Sequence, residues 1–459
     1  MRFIYKKAGW TALFLSLALM QAGAAAAEPD EVETSKSFVL ENGLKVFLLE
    51  KRNYPLVSAV VAVNVGTKDE TPETSGLVHI LEHYILFRGT ELRSGNEIGR
   101  DVRRHGAYFN AHTGQDIAFF EICAPAENAE FALINQRDIL FNLKLTQEEL
   151  DREKEVVLEE FSQMEDDPVR RATSLVYQNL FRGHPYGNPP HGRPEIVRDL
   201  TVEGVQKFYQ KYFVPSNCSL AVVGDLSLEQ MESTVRKIFV EVKGEHLAAP
   251  EIAPAPPLEK SIRIDVEMDV QKAYLVIAIR GPDFNDPDQY AIDILTEIFG
   301  RGVNPMLYAA LWGRRKLAET IQMAYHAHKH GGALIVYLTL DPKYVSAAER
   351  EAISFLKRSR DQNFSPRDVF GEQQQYAYDF LSGAKNQISF SIQQSQEKSL
   401  VLAYSLARSL ILSRDGEYRP YLANIDKVDS SDLRKAAAKY FSRSDYVIIS
   451  IVPSKESRR

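Results

Sequence analysis

Cysteine is almost absent from this chain of 459 residues: only Cys123 and Cys218 occur. Two thiols cannot staple so long a chain, so the fold rests on hydrophobic burial rather than a disulfide framework. They lie in the strand-like stretches "FFEICAP" and "NCSLAVVGD", which leaves open one bridge or two separate buried thiols. Excess positive charge is missing too. Lys and Arg number 55 against 62 Asp and Glu, a formal net charge of −7, which removes the electrostatic footprint of a nucleic-acid-binding protein. Past the first 27 residues no apolar run approaches the ~20 residues of a membrane-spanning helix. Hydrophobic residues at 44% and charged residues at 25% are values of a soluble globular protein, and the length suits two or three domains of ~150 residues each.

The first residues read as a secretory signal peptide. Arg2, Lys6 and Lys7 form a positive start, Ala12 to Met20 an apolar core, and Ala25-Ala26-Ala27 a small-residue cleavage site. Export to the periplasm is the expectation, with an uncleaved anchor as the alternative. Residues 1–27 carry three positive charges and no negative one, so their removal changes the formal charge from −7 to −10.

Proline is concentrated where it divides the chain. "HLAAPEIAPAPPLEK", residues 246–260, holds four prolines and reads as an extended spacer. The predicted organisation is a signal peptide over 1–27, a first domain over 28–247, a linker over 248–259 and a second domain over 260–459. The two halves look alike. "LVSAVVAVNVGTKDETPETSGLVHILEH" parallels "AYLVIAIRGPDFNDPDQYAIDILTEIFG", and each half closes with a helix ending in Lys-Tyr-Phe, at 211–213 and 439–441, before a hydrophobic strand. The pattern predicts a duplicated α/β (α+β) unit: two homologous domains, each a mixed or antiparallel sheet packed with helices, in a clam-shell.

One copy carries chemistry that the other lacks. "HILEH", residues 79–83, stands where the second half has "DILTE". The spacing predicts one helix from a polar start at Thr74–Ser75 to a stop at Gly89, apolar nearly all round and therefore buried. His79 and His83, four apart, share a face and suit two ligands of one tetrahedral zinc, with Glu82 beside them. The bland reading is a pair of core histidines. A catalytic zinc needs a third protein ligand. Glu153 and Glu160, seven apart in "LTQEELDREKEVVLEEFSQMEDDP", lie on one face of a helix that a Thr146/Glu149 capping box would open. Either could ligate while the other orients, unless this helix is merely a solvated acidic face. His326, His328 and His330 in "YHAHKHGG" alternate, which would put all three on one strand face. That face could hold a second, non-catalytic metal, although a solvated or partner-facing strand explains it as well.

With "HILEH", the stretches "FRGT" (87–90), "GAYFNAHTGQD" (106–116), "DREKEVVLEEF" (151–161) and "HPYGNPPHG" (184–192) resemble the insulinase and pitrilysin family of zinc peptidases. The similarity is greatest to its half-length members related to mitochondrial processing peptidase, and it spans nearly all of residues 36 to 455. The resemblance implies that His79, His83 and Glu160 bind one zinc ion, that Glu82 is the general base for the attacking water, and that Glu153 supports a ligand from behind. It also implies a peptide substrate added as a strand beside Asn110, Ala111 and His112. The expected function is a zinc metalloendopeptidase acting on peptides or small unfolded proteins. The alternative is a structural or peptide-binding subunit of the same fold.

Two departures from the family pattern stand out. "HYILFRGT" carries one extra residue after the second His, which predicts a distorted helix end. In the second half, family members that complete the site carry an Arg and a Tyr seven apart; "LWGRRKLAET" has Trp312 and Glu319 there, with Arg314 or Arg315 as substitutes for the Arg alone. The chain is therefore expected to form a heterodimer with a homologous partner supplying Arg and Tyr, or else a homodimer.

Overall fold

The computed structural model describes residues 34–244, 251–302, 305–313, 315–362, 364, 379–414 and 421–454. The leader over 1–27, Arg314 and linker residues 246–250 lie outside the described residues.

Eleven strands are described, in two sheets. The first contains β1 (Ser35–Val39), β2 (Lys45–Glu50), β3 (Leu56–Val63), β4 (Tyr108–Thr113), β5 (Ala118–Pro125) and β6 (Cys218–Gly224) in the order β1-β2-β6-β3-β5-β4. The second contains β7 (Ile262–Met268), β8 (Ala273–Gly281), β9 (Thr320–His328), β10 (Gly331–Leu340) and β11 (Val447–Pro453) in the order β7-β11-β8-β10-β9. Apart from β1 the two orders are superimposable. In each sheet one parallel pair, β2 with β6 or β7 with β11, joins an otherwise antiparallel set. The internal repeat in the sequence is thus a repeat of topology.

Strand composition explains sheet position. β3 and β6 are built of Val, Ala, Leu and other small residues and are buried on both faces, as central strands must be. β7, "IRIDVEM", alternates half-buried and exposed residues, as befits an edge with one wet face. The linker residues 251–260 form no helix or strand.

Four helices build and flank the site: α1 (Leu77–Phe87), α2 (Gln147–Asp166), α3 (Pro168–Leu180) and α4 (Ser399–Leu412). On one face of the first sheet, Val46, Leu48, Ala59, Val61 and Val222 pack against helices of the same half, α1 among them. On the opposite face, Phe47, Leu49, Val60, Ala62 and Val223 meet Leu402, Ala403, Leu406 and Leu410 of α4, a helix from the second half. The exchange is mutual. Val276, Ala278, Ile335 and Ile449 of the second sheet meet Ala172, Val176, Tyr177 and Leu180 of α3 from the first half. Each fully buried Leu or Val contributes about 1.5–3 kcal/mol, so these swapped helices tie the halves together. Cys123 in β5 and Cys218 in β6 are both free thiols, and β3 runs between their strands.

Candidate metal centre and cleft

Helix α1 has no hydrogen-bonding side chain of its own at the start. Its cap residue is Gly76, at φ 92°, and the buried Glu70 supplies the missing acceptor: one carboxylate oxygen takes the Gly76 N–H at 3.0 Å and the other the Val78 N–H at 2.9 Å. A carboxylate there also meets the positive end of the helix dipole. Burial nevertheless pushes Glu70 up to about 8. Glycine is required at 76 for a second reason. A Cβ built on Gly76 would sit 2.8 Å from the Gly192 Cα, and one built on Gly192 2.4 Å from the Gly76 Cα, so two glycine backbones touch and lock the 184–192 loop against α1. That contact delivers His191, whose ring stands 4.6 Å from the ring of His79. The helix runs regularly to Phe87 and stops before Gly89 at φ 109°; the extra residue after His83 causes no distortion.

His79 and His83 point the same way from α1, and α2 brings Glu160 to them. His79 Nε2 and His83 Nε2 are 3.2 Å apart, His83 Nε2 and Glu160 Oε2 are 3.4 Å apart, and His79 Nε2 and Glu160 Oε2 are 3.6 Å apart. Ligands on a tetrahedral zinc at ~2.0–2.1 Å stand about 3.4 Å from one another. The three atoms therefore fit that ion, and they form the one such group of His, Cys, Asp or Glu among the described residues. Burial, followed by the neighbouring His191 and His83, drives His79 well below the ordinary imidazole range, so it offers a neutral lone pair.

Glu153 stands behind His83 rather than beside Glu160. Its Oε2 lies 3.2 Å from His83 Nδ1, and its other oxygen is paired with Arg88, whose Nη1 lies 3.1 Å from Glu149. Burial pulls His83 down, but bonding to Glu153 and Glu160 outweighs it and carries the group up to about 9. A metal ion would take the place of the Nε2 proton, leaving Nδ1–H donated to Glu153 and the Nε2 lone pair turned toward the His79 and Glu160 atoms. Of the two glutamates that spacing alone left open, Glu160 sits at the centre and Glu153 behind it. The capping box is only half formed: Thr146 accepts the Glu149 N–H at 3.4 Å, while the Glu149 side chain is drawn away to Arg88 and Arg152.

Glu82, on the next face of α1, opens into a cleft of about 260 Å³ lined also by His79, His112, His191, Tyr404 and Arg408. Burial raises the Glu82 carboxyl above its ordinary range, with the adjacent Thr113 and His83 offsetting part of the effect. β4 forms the outer edge of its sheet, as a strand-adding substrate requires. Within it, His112 lines the cleft, 3.8 Å from the buried Glu121, and Asn110 Nδ2 lies 3.5 Å from His112 Nε2. Ala111 instead packs its side chain into the first core, which leaves only its backbone for a substrate.

The expected Arg and Tyr positions lie elsewhere on the surface. Trp312 stacks on Tyr308, and Glu319 pairs with Lys272; neither lines the cleft. A Tyr and an Arg are nonetheless present there, from a place that motif spacing does not indicate. Helix α4 presents Tyr404 and Arg408 one turn apart, with the Tyr404 ring stacked on Phe119 at 4.0 Å. The histidine trio does not form a metal site. β9 ends at His328, so His330 lies in the turn. His326 Nδ1 and His328 Nε2 each lie 2.8 Å from the Tyr177 hydroxyl of α3. The pair sits in the seam between the halves, with His328 buried and His326 half-buried at the wall of the cleft.

Two family models match the chain: "Insulinase (Peptidase family M16)" over residues 45–192 and "Peptidase M16 inactive domain" over residues 199–376. The chain is 23% identical over 429 residues to the probable beta subunit of mitochondrial-processing peptidase of Arabidopsis thaliana, covering 91% of this chain and 78% of that one. It is 24% identical over 445 residues to the zinc protease PqqE of Helicobacter pylori, covering 95% and 97%. Among solved structures, a protease from Helicobacter pylori superposes with a TM-score of 0.83 at 23% identity, covering 91% and 99%. A putative M16-like peptidase from Alicyclobacillus acidocaldarius gives 0.80 at 18%, covering 92% and 98%. The chain belongs to the insulinase family, peptidase family M16.

Proposed function

We propose, from that membership and from the geometry of the donors, that the chain is a zinc-dependent endopeptidase for peptides or small unfolded proteins. His79, His83 and Glu160 hold one zinc ion and Glu82 is the general base. The observation that carries this reading is the triangle of donor atoms with sides of 3.2, 3.4 and 3.6 Å. Zinc, when bound, supplies a Lewis acid that polarises the scissile carbonyl and lowers the pKa of a bound water to ~7. The chain's own groups do the rest. Glu82, facing the cleft, takes the proton of the attacking water on a carboxylate oxygen and passes it to the leaving amine. Glu153 keeps the His83 proton on Nδ1, and the free edge of β4 beside Asn110 and His112 aligns the peptide by backbone hydrogen bonds. The relatives named zinc proteases support the choice of metal. The leader pattern supports action in the periplasm after loss of residues 1–27.

The relative named as a beta subunit favours completion by a homologous partner, in a heterodimer. A second reading has its own support. Tyr404 and Arg408 reach the cleft from the second half of the same chain, which favours a chain that works alone or as a homodimer. Residues 28–459, loaded with zinc and assayed on a quenched fluorescent peptide pool, separate the readings. Turnover that a chelator removes and Glu82→Gln abolishes with zinc still bound, a loss of ~10²–10⁴-fold, is the expected result. Undiminished activity of Glu82→Gln sinks the mechanism. Zinc without turnover assigns the chain to a partnered or purely peptide-binding role.

A further inference from the structure

Among the described residues Arg408 is a cation with no carboxylate in contact, and only the more distant charges of Asp116 and Asp293 act on it. It lies in the wall of the cleft with Ala327, His326, His328 and Leu412 around it. One N–H, on Nη2, donates to the Ala327 carbonyl at 2.9 Å, and the guanidinium sits over the Phe284 ring at 4.9 Å. No carboxylate comes within 4.0 Å of it among the described residues, although buried charges elsewhere in the chain are paired, as Lys68 is with Asp69 and Glu153 with Arg88. Asp116, which lines the same cleft, is already engaged: it accepts from the Tyr186 hydroxyl at 2.5 Å and from the Lys329 N–H at 3.0 Å. His326 and His328 share the Tyr177 hydroxyl and contribute no balancing charge. A guanidinium has five donors in a planar fork that matches a carboxylate, and enclosing one unpaired is costly.

We propose that the deep end of the cleft is a carboxylate-binding subsite built on Arg408, which gives the peptidase a preference for an acidic group close to the scissile bond. The proposal rests on the peptidase reading for its location and on Arg408 alone for its chemistry. Arg408 follows Tyr404 by one helical turn, about 6 Å at 1.5 Å per residue. Tyr404 lines the same cleft as Glu82 and feels its charge. An extended peptide rises about 3.3 Å per residue, so the carboxylate belongs either to an Asp or Glu side chain within two residues of the cleaved bond or to a C-terminus that ends there.

The test uses zinc-loaded residues 28–459 and one parent peptide in four forms: Glu or Gln at the positions flanking the cleaved bond, and free acid or amide at a C-terminus two residues beyond it. The acidic form at one of these places should be cleaved with a kcat/KM ten- to a hundredfold above its neutral twin. Preference in the Glu/Gln pair assigns a side chain, and preference in the acid/amide pair assigns a terminus. In Arg408→Gln that ratio should fall to about one, and in Arg408→Lys it should be only partly lost. Equal rates for acidic and neutral forms in the wild type overturn the subsite, and so does a ratio unchanged in Arg408→Gln. Binding of the same peptides, labelled and read by fluorescence anisotropy, separates this idea from the peptidase reading. Tighter binding of acidic forms without cleavage keeps the subsite and removes the enzyme, whereas equal Kd values remove the subsite whether or not cleavage occurs.

Discussion

Replacing Glu153 isolates what the second carboxylate does for the metal. It is 1% exposed, holds His83 Nδ1 at 3.2 Å and pairs with Arg88. Glu153→Gln removes the charge that fixes the Nδ1–H tautomer, so His83 spends more time with its proton on Nε2, the atom needed as a ligand. Loss of such a supporting partner weakens metal binding 10- to 100-fold, about 1.4 to 2.7 kcal/mol. Zinc that binds only the folded state raises stability by RT ln(1 + [Zn]/Kd), so the zinc-induced rise in stability shrinks by the same ~1.4 to 2.7 kcal/mol. Glu153→Ala should do this and also lower the metal-free stability by about 3 kcal/mol, because Arg88 loses a buried partner. The assay is competition with a fluorescent zinc chelator, together with denaturant unfolding with and without zinc. Glu159→Gln, one residue from Glu160 but exposed, is the control and should leave both readings unchanged. A zinc Kd for Glu153→Gln within twofold of the wild type refutes the reasoning and makes Glu153 merely a partner of Arg88.

His328 is buried between the halves and held down to about 4, burial being the main cause; it is lowered relative to about 6.5 unfolded, so its contribution is fully present above pH 6.5 and is lost as pH falls toward 4. At pH 5.5 the loss is about 1.4 kcal/mol, and His328→Gln should flatten the pH dependence of urea unfolding between pH 7 and 5; an unchanged slope contradicts it. Leu406→Ala on α4, where Leu406 is 1% exposed, should cost about 2–5 kcal/mol and loosen both halves together, and hydrogen exchange that rises only in the second half would show that the swapped helix does not couple them. Glu70→Ala orphans the Gly76 and Val78 N–H groups, so it should lower metal-free stability by about 1–3 kcal/mol and weaken zinc binding, both measurable in the unfolding assay used for Glu153.

Local chemistry was legible in the sequence, and long-range placement was not. "HILEH" declared its helix and the shared face of its two histidines because an i, i+4 pair is a property of one helix. The repeated strand-turn-helix declared the duplicated fold because strand order follows connection pattern. Glu160 could be separated from Glu153 only by family spacing or by coordinates, since two residues seven apart on one helix look alike until the helix is docked. What the sequence concealed depends on which surface an element covers. "SLVLAYSLARSLIL" is an apolar helix wherever it packs, and nothing within it reveals that it crosses to the first sheet instead of its own. Only that crossing takes Tyr404 and Arg408 out of an ordinary core helix and into the cleft beside Glu82. At the spacing where the family places Arg and Tyr the sequence has Trp312 and Glu319, which taken alone leave the site incomplete. The fold changes the terms of that inference: groups of the right chemistry arrive from a different helix, so the question of a partner turns on what Tyr404 and Arg408 touch when a peptide lies along β4.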